Sequence, residues 1–368
     1  MEFILLLLGG LVLAIIMSST IIPRILIISL RKRLFDSPDI RKVHHKPVSR
    51  LGGFSFFPTI LFTITLLIGI CSVTHWLALE KITDDWTQIL LMSAGLTLLF
   101  IIGIADDLIG VRYRQKFFIQ VISASMFPLA GLYINDFYGL FGIHELPVFI
   151  SIPFTLLLVI FITNAINLID GIDGLASGLS MVALFVFGTL SVMDERWISA
   201  LLAFTTIGVL LPFFYYNVFG NVDRGRKIFM GDTGSLTLGF ILSFLTIQYT
   251  MNTYEAGISY KGAILIAFSA LLVPCLDVIR VVIGRVRRRK NPFMPDKTHI
   301  HHKFLAMGFT PRKAMISILC ISFLFCISNV VLVSYMNNTL LFVCDVVVWT
   351  LMNLYMDRVI AHRRTFIK

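Results

Sequence analysis

Residues 148–193 read VFISIPFTLLLVIFITNAINLIDGIDGLASGLSMVALFVFGTLSVM. Two apolar runs, 148–166 and 174–192, each approach the roughly 20 residues a helix needs to cross a bilayer. Only Asn164, Asn167, Asp170 and Asp173 with their neighbours separate them. Carboxylates beside hydrocarbon are costly, so they mark function or pairing. Residues three apart share a helix face, although the stripe winds around the helix over four members. Gly171 and Gly174 then loosen or end the helix. Helix capping by Asn and Asp explains one or two of these residues, but not four.

Working outward, the same apolar pattern fills the chain. Of 368 residues, 57% are hydrophobic and 14% charged, and the mean hydropathy is +0.88. A soluble protein carries about 25% charged residues. Apolar windows fall near 3–22, 52–73, 87–105, 117–134, 148–166, 174–192, 197–218, 233–250, 261–283, 314–336 and 339–360. They predict an all-α integral membrane protein, one polytopic domain of about eleven transmembrane helices. The first window lacks a basic start, since Glu2 is acidic, and has no small-residue cleavage site before Arg31-Lys32-Arg33; it reads as a retained anchor.

The net charge of +10 belongs to topology rather than to nucleic acid. With the N-terminus outside, the inside loops (about 31–51, 106–116, 167–173, 219–232 and 284–313) and the C-terminal tail hold 26 of 31 Lys and Arg. The outside loops hold Lys81, Arg196 and Lys261, while Arg24 and Arg280 lie within windows. This asymmetry predicts N-out and C-in. The five cysteines all fall in apolar windows without a C-x-x-C pattern, so no disulfide framework is expected.

Four polar clusters share the inside face. Asp106 and Asp107 close the third window, and such a pair suits a divalent cation or a general base; an acidic segment end explains it equally well. Lys116 contacts a phosphate or is one more inside cation. Asp232, in Met230-Gly231-Asp232-Thr233-Gly234-Ser235, fits either a hard cation carrying phosphate or a helix N-cap. His299, His301 and His302 follow a basic run from Arg285 to Lys290. Adjacent histidines converge poorly on one zinc, so hydrogen bonding to phosphate is the better assignment. In the first inside loop, Arg41 to Gly53, Arg50 and its neighbours can meet headgroups or a lipid phosphate, and Gly52-Gly53 lets a helix start close to its neighbours.

Together and in this order, the clusters resemble the polyprenyl-phosphate N-acetylhexosamine-1-phosphate transferases over nearly the whole chain. The resemblance is carried by Asp106-Asp107 with Lys116, N-x-x-N-x-x-D-G-x-D-G-L at 164–175, G-D-T-G-S at 231–235, and P-D-x-x-H-I-H-H at 295–302. The element H-x-P…R-x-G-G at 45–53 is also similar, with Ser49 where proline is usual. His-Ile-His-His looks like the WecA/TagO-like branch, which starts O-antigen, enterobacterial common antigen or teichoic-acid linkage units. The phospho-muramoyl-pentapeptide branch carries three consecutive His.

The resemblance implies transfer of an N-acetylhexosamine 1-phosphate from its UDP-sugar, UDP-GlcNAc foremost, to undecaprenyl phosphate, with release of UMP. It implies an enzyme of the bacterial inner membrane working at the cytoplasmic face, with Mg²⁺ as cofactor and Mn²⁺ able to substitute. Asp232 is the expected main metal ligand and Asn167 the second. Asp106 and Asp107 are the expected catalytic carboxylates. Asn164, Asp170, Asp173, His299, His301, His302, Lys116 and Arg50 are expected to bind substrate. A homodimer is left open. Within the family the alternative is a phospho-muramoyl-pentapeptide transferase, which this chain resembles less; outside it, the rival classes are a secondary transporter of anionic solutes and a non-catalytic membrane partner of glycan assembly. The first is disfavoured because no ionisable pair is expected within a helix; the second needs none of the four clusters.

Overall fold

The computed structural model describes residues 1–32, 34, 48–78, 82, 86–251, 262–291 and 298–366. Arg41 to Pro47 of the first loop, Pro295, Asp296 and Lys297 of the last, and Lys81 and Lys261 lie outside these residues. The protein is a helical, multi-pass membrane protein. Its helices are α1 (Glu2–Lys32), α2 (Phe56–Thr74), α3 (Trp86–Ile109), α4 (Tyr113–Leu129), α5 (Val148–Ile169), α6 (Leu175–Met193), α7 (Trp197–Phe219), α8 (Gly231–Thr250), α9 (Ala263–Arg287), α10 (Ile300–Ala306), α11 (Pro311–Leu332) and α12 (Asn338–Phe366). A 3₁₀ turn, Leu51–Ser55, precedes α2.

Each apolar window overlaps one long helix, with the fourth, 117–134, running past the end of α4 at Leu129. Among the described residues, nine helices are long and apolar enough to cross a membrane. The two long helices outside that set are α4 and α8, for different reasons. The first turn of α4 carries Arg114, Gln115 and Lys116. Helix α8 is sheathed by protein: almost every residue from Thr233 to Thr250 is buried, and α3, α5, α6 and α9 pack around it. A helix with no lipid-facing side needs small residues for close approach more than it needs lipophilic ones. Its hydroxyls bond back one turn, Thr237 to Thr233, Ser243 to Gly239, Thr246 to Leu242 and Thr250 to Thr246, all at 2.7 Å. Each hydroxyl is thereby satisfied without water.

Helix α1 is integral to the bundle. Gly10, Ala14, Ser18 and Ile22, four residues apart, form its buried stripe. That small-residue face packs on α7, where the Ser18 hydroxyl donates to the Val209 carbonyl at 3.0 Å. The expected close helix start at Gly52-Gly53 is present. A Cβ on Gly53 would stand 2.1 Å from the Gly234 nitrogen. The 49–53 segment also bonds to the residues before α8: Phe229 N–H to Ser49 O (2.7 Å), Gly52 N–H to Phe229 O (3.0 Å) and Gly53 N–H to Met230 O (2.9 Å).

Three features correct the sequence expectations. The α4–α5 connection contains a hairpin, β1 (Asp136–Leu140) with β2 (Ile143–Glu145), turned at Gly139–Gly142. It docks on the start of α12 through Asn338 Nδ2 to Tyr138 O at 2.7 Å and Phe141 on Phe342. Second, 167–173 is not all loop: Asn164 and Asn167 ride on the last turns of α5, and the break is Asp170–Gly174. Third, an ionisable pair does sit within a helix. Asp277 and Arg280 on α9 are joined at 2.6 Å.

Candidate active site

The break between α5 and α6 brings the opening motif to the same end of the bundle as the other clusters. Asp232 is the first-turn carboxylate of α8. Gly231 before it has a φ of +70°, and a Cβ there would lie 2.2 Å from Arg50 O and 2.5 Å from Asp107 Oδ2. Only glycine fits so left-handed and crowded a position. This crossing holds Arg50, Asp107 and Asp232 in one place.

Asp107 caps α8 from another helix. It accepts from Asp232 N–H (2.8 Å), Thr233 N–H (2.9 Å) and the Thr233 hydroxyl (2.6 Å). Those donors would otherwise be orphaned at the helix start, where a carboxylate is also favoured by the helix dipole. Asp106 accepts from Val111 N–H at 2.6 Å and pairs with Lys116 Nζ at 3.2 Å. Lys116 also pairs with Asp232 Oδ2. Asn167 donates from Nδ2 to Asp232 Oδ1 at 3.1 Å and to Ser235 Oγ at 2.7 Å. Five of the expected residues thus form one network, from the ends of α3, α4, α5 and α8. Its donors to a cation would be oxygens of carboxylate, amide and hydroxyl groups, a set that suits Mg²⁺ with phosphate oxygens completing the shell. Among the described residues no three His, Cys, Asp or Glu side chains converge as a self-sufficient metal cage.

Asn164 lies apart from this network. It forms a reciprocal amide pair with Gln120, at 2.9 and 3.3 Å, which ties α5 to α4. Asp173 pairs with Lys227 at 2.5 Å. Asp170 reaches solvent, yet the protein around its carboxyl desolvates it. That crowding, with the charges of Asp173 and Asp107, pushes it up to about 7. Asn217 holds the 170–174 turn to the α7–α8 connection, accepting from Gly174 N–H at 2.6 Å and donating to Ile228 O at 2.8 Å.

The histidines begin α10. His301 lies over the same turn: a Cβ on Gly171 would stand 2.2 Å from its Nε2. Burial, then the neighbouring His302 and His299, push His301 down to about 3. Its ring is therefore neutral near pH 7. His299 is held through Nδ1, 2.8 Å from Asp277 Oδ2. His302 lines a cavity of about 400 Å³ with Arg280, Arg288, Lys303 and Asp357. Burial lowers Lys303 in spite of its pairing with Asp357.

Sequence reasoning missed Asp277, Lys227, Asn217 and Gln120. Asp277 and Gln120 were polar residues inside apolar windows, which is a signal. Lys227 read as one more inside-loop cation.

The family described as Glycosyl transferase family 4 matches residues 89–250, which span the Asp106, Asn167 and Asp232 clusters. The chain is 33% identical over 300 residues to the probable undecaprenyl-phosphate N-acetylglucosaminyl 1-phosphate transferase of Bacillus subtilis (strain 168), covering 81% of this chain and 77% of that one. The chain belongs to glycosyl transferase family 4. Further relatives are the undecaprenyl-phosphate alpha-N-acetylglucosaminyl 1-phosphate transferases of Yersinia pestis, 30% identical over 79% of this chain and 74% of that one, and of Escherichia coli (strain K12), 30% identical over 77% and 72%.

Proposed function

We propose that this family 4 enzyme transfers GlcNAc 1-phosphate from UDP-GlcNAc to undecaprenyl phosphate and releases UMP. The observation that carries this is the Asp106–Lys116–Asp232–Asn167 network at the same bundle end as the His motif, in a chain whose relatives bear that activity in their names. An oxygen of the lipid phosphate attacks the β-phosphorus of UDP-GlcNAc. The bond from that phosphorus to the bridging oxygen breaks, and the electron pair leaves with UMP. A phosphate monoester has its second pKa near 6, so no strong base is required.

Both reactants are polyanions, so cations must lower their repulsion. Asp232 would hold Mg²⁺, which bound there neutralises phosphate charge and polarises the phosphoryl oxygens. Asn167 supports it, either as the donor seen here or, with the amide turned over, as a second oxygen ligand. Asp106, with Lys116 beside it, is the carboxylate placed to meet the lipid phosphate. Asp107, engaged by three donors from α8, sets the position of Asp232. Asp170 and Asp173 face the nucleotide sugar. His299 and His302 meet its phosphates, and neutral His301 spaces the α10 start from the 170–174 turn. Arg50 provides positive charge beside Asp107. Asn164 acts from behind, by fixing α5.

The charge asymmetry supports N-out and C-in, eleven spans, and a site facing the cytoplasm from the bacterial inner membrane. The test is to incubate purified protein with undecaprenyl phosphate, Mg²⁺ and each labelled UDP-N-acetylhexosamine. Labelled lipid and UMP are expected with UDP-GlcNAc; no product with any donor would sink the assignment.

A further inference from the structure

Asp277 is a fully buried carboxylate on α9 whose hydrogen-bond partners are Arg280, Ile300 and His299. Burying a carboxylate is costly unless its oxygens are paired and hydrogen-bonded. Here Oδ1 accepts from Arg280 Nη2 at 2.6 Å and from Ile300 N–H at 3.0 Å, while Oδ2 meets His299 Nδ1 at 2.8 Å. Arg280 also donates to Thr298 O at 2.7 Å. One side chain therefore fixes the backbone where α10 begins and the ring just before it.

An ionised carboxylate only accepts, so His299 presents Nδ1–H to it. The ring has one nitrogen left, Nε2. His299 lies parallel to His301, with ring centroids 6.0 Å apart and an angle of 6° between the ring planes. His301 rests in turn on Gly171, between Asp170 and Asp173. Among the described residues, the charged and titratable groups around His299 include Asp277 and Arg280 on α9, His301, His302 and Lys303 on α10, Asp357 on α12, and Asp170 and Asp173 beyond Gly171.

We propose, resting on the transferase assignment, that Asp277 is the positioning residue of the His motif: it turns Nε2 of His299 toward the diphosphate of the nucleotide sugar and supplies the counter-charge for a doubly protonated ring when that anion binds. The ring then donates from both nitrogens, one to each anion. Asp277 itself touches no reacting atom.

The test is a steady-state series with UDP-GlcNAc over pH 6–9. Asp277→Asn is expected to raise KM about tenfold at pH 8 while kcat stays within about twofold. The alkaline rise in KM should move to lower pH by about one unit, the low end of what one opposite charge does. Adding Asp277→Asn to His299→Ala should change nothing further. A merely structural role would lower thermal stability and kcat without moving that limb. Should Arg280, left without its partner, prevent folding, Asp277→Asn with Arg280→Met removes both charges and is read in the same way. Unchanged KM and pH limb in a folded Asp277→Asn protein, or effects of the two single variants that simply multiply, overturn the inference while wild-type activity leaves the transferase assignment standing. A wild-type protein inert toward every UDP-N-acetylhexosamine overturns both.

Discussion

Asp232 and His299 serve the same end of the bundle but are held in different ways. Asp232 opens a helix that is buried along its length, and its backbone N–H is clamped by Asp107 while its carboxylate meets Lys116 and Asn167. Four helix ends converge on it. His299 precedes the seven-residue helix α10, and its ring is anchored through Nδ1 on the carboxylate of Asp277. One half of the site is thus built from the packing of the bundle itself. The other is a short helix seated by Ile300 and Phe304, whose leading histidine is oriented by one buried carboxylate. The difference teaches where precision comes from: the phosphoryl-transfer half inherits the rigidity of α3, α5 and α8, whereas the His299 ring can be loosened through one contact, without unpacking the core.

Breaking the rigid half should have the largest effect. Asp232→Ala is expected to lower kcat by about 10³-fold, on the order of 4 kcal/mol, as when a preorganised electrostatic group is removed. Thermal unfolding should change little, because Lys116 keeps Asp106. Next comes the contact between the halves. Gly171→Ala places a Cβ 2.2 Å from His301 Nε2. Displacing that buried ring costs roughly 1–3 kcal/mol, to be read as a 10- to 100-fold loss in kcat/KM. Adding His301→Ala should restore part of it.

The contacts that were legible in the sequence are local ones. The apolar windows, the glycine break after Asp170, and the carboxylates at segment ends could be read from spacing alone. What could not be read depends on chain-distant pairing. Lys227 meets Asp173 across 54 residues and Asp277 meets His299 across 22. Neither spacing recurs as a pattern, and Asp277 lay inside an apolar run where a lone carboxylate points to no partner. The hairpin at 136–145 was missed for another reason. Its strands are short, and its Gly139 and Gly142 turn signals sit in what read as a plain connection. Asp107 was read as one of two equivalent carboxylates, and only the geometry separates a helix cap from the site-facing Asp106.

That separation gives the third prediction. Asp107→Ala removes the cap on α8 and should cost about 1–2 kcal/mol of stability, seen as a lowered Tm. Activity should fall with it through displacement of Asp232. Asp106→Ala should leave Tm nearer to wild type while abolishing turnover. The effect that is smallest at neutral pH, and grows only in acid, is on stability. His301 sits near 3 in the folded protein against an ordinary 6.5. Below 6.5 the unfolded chain takes up a proton there and the native ring does not. Stability contributed by this residue is therefore complete above 6.5 and is lost as pH falls toward 3, by up to about 1.4 kcal/mol per pH unit. Thermal unfolding across that window should show a gentler slope in His301→Ala.

The most direct measurement compares wild type with Asp232→Ala at matched folding, following labelled lipid diphosphate and UMP formed from UDP-GlcNAc and undecaprenyl phosphate across a Mg²⁺ titration. Wild type should form both products in equal amounts, lose activity in EDTA and regain it with Mg²⁺, while the variant stays near background at every concentration. Full Mg²⁺-dependent turnover by Asp232→Ala would contradict a transfer site organised around that carboxylate.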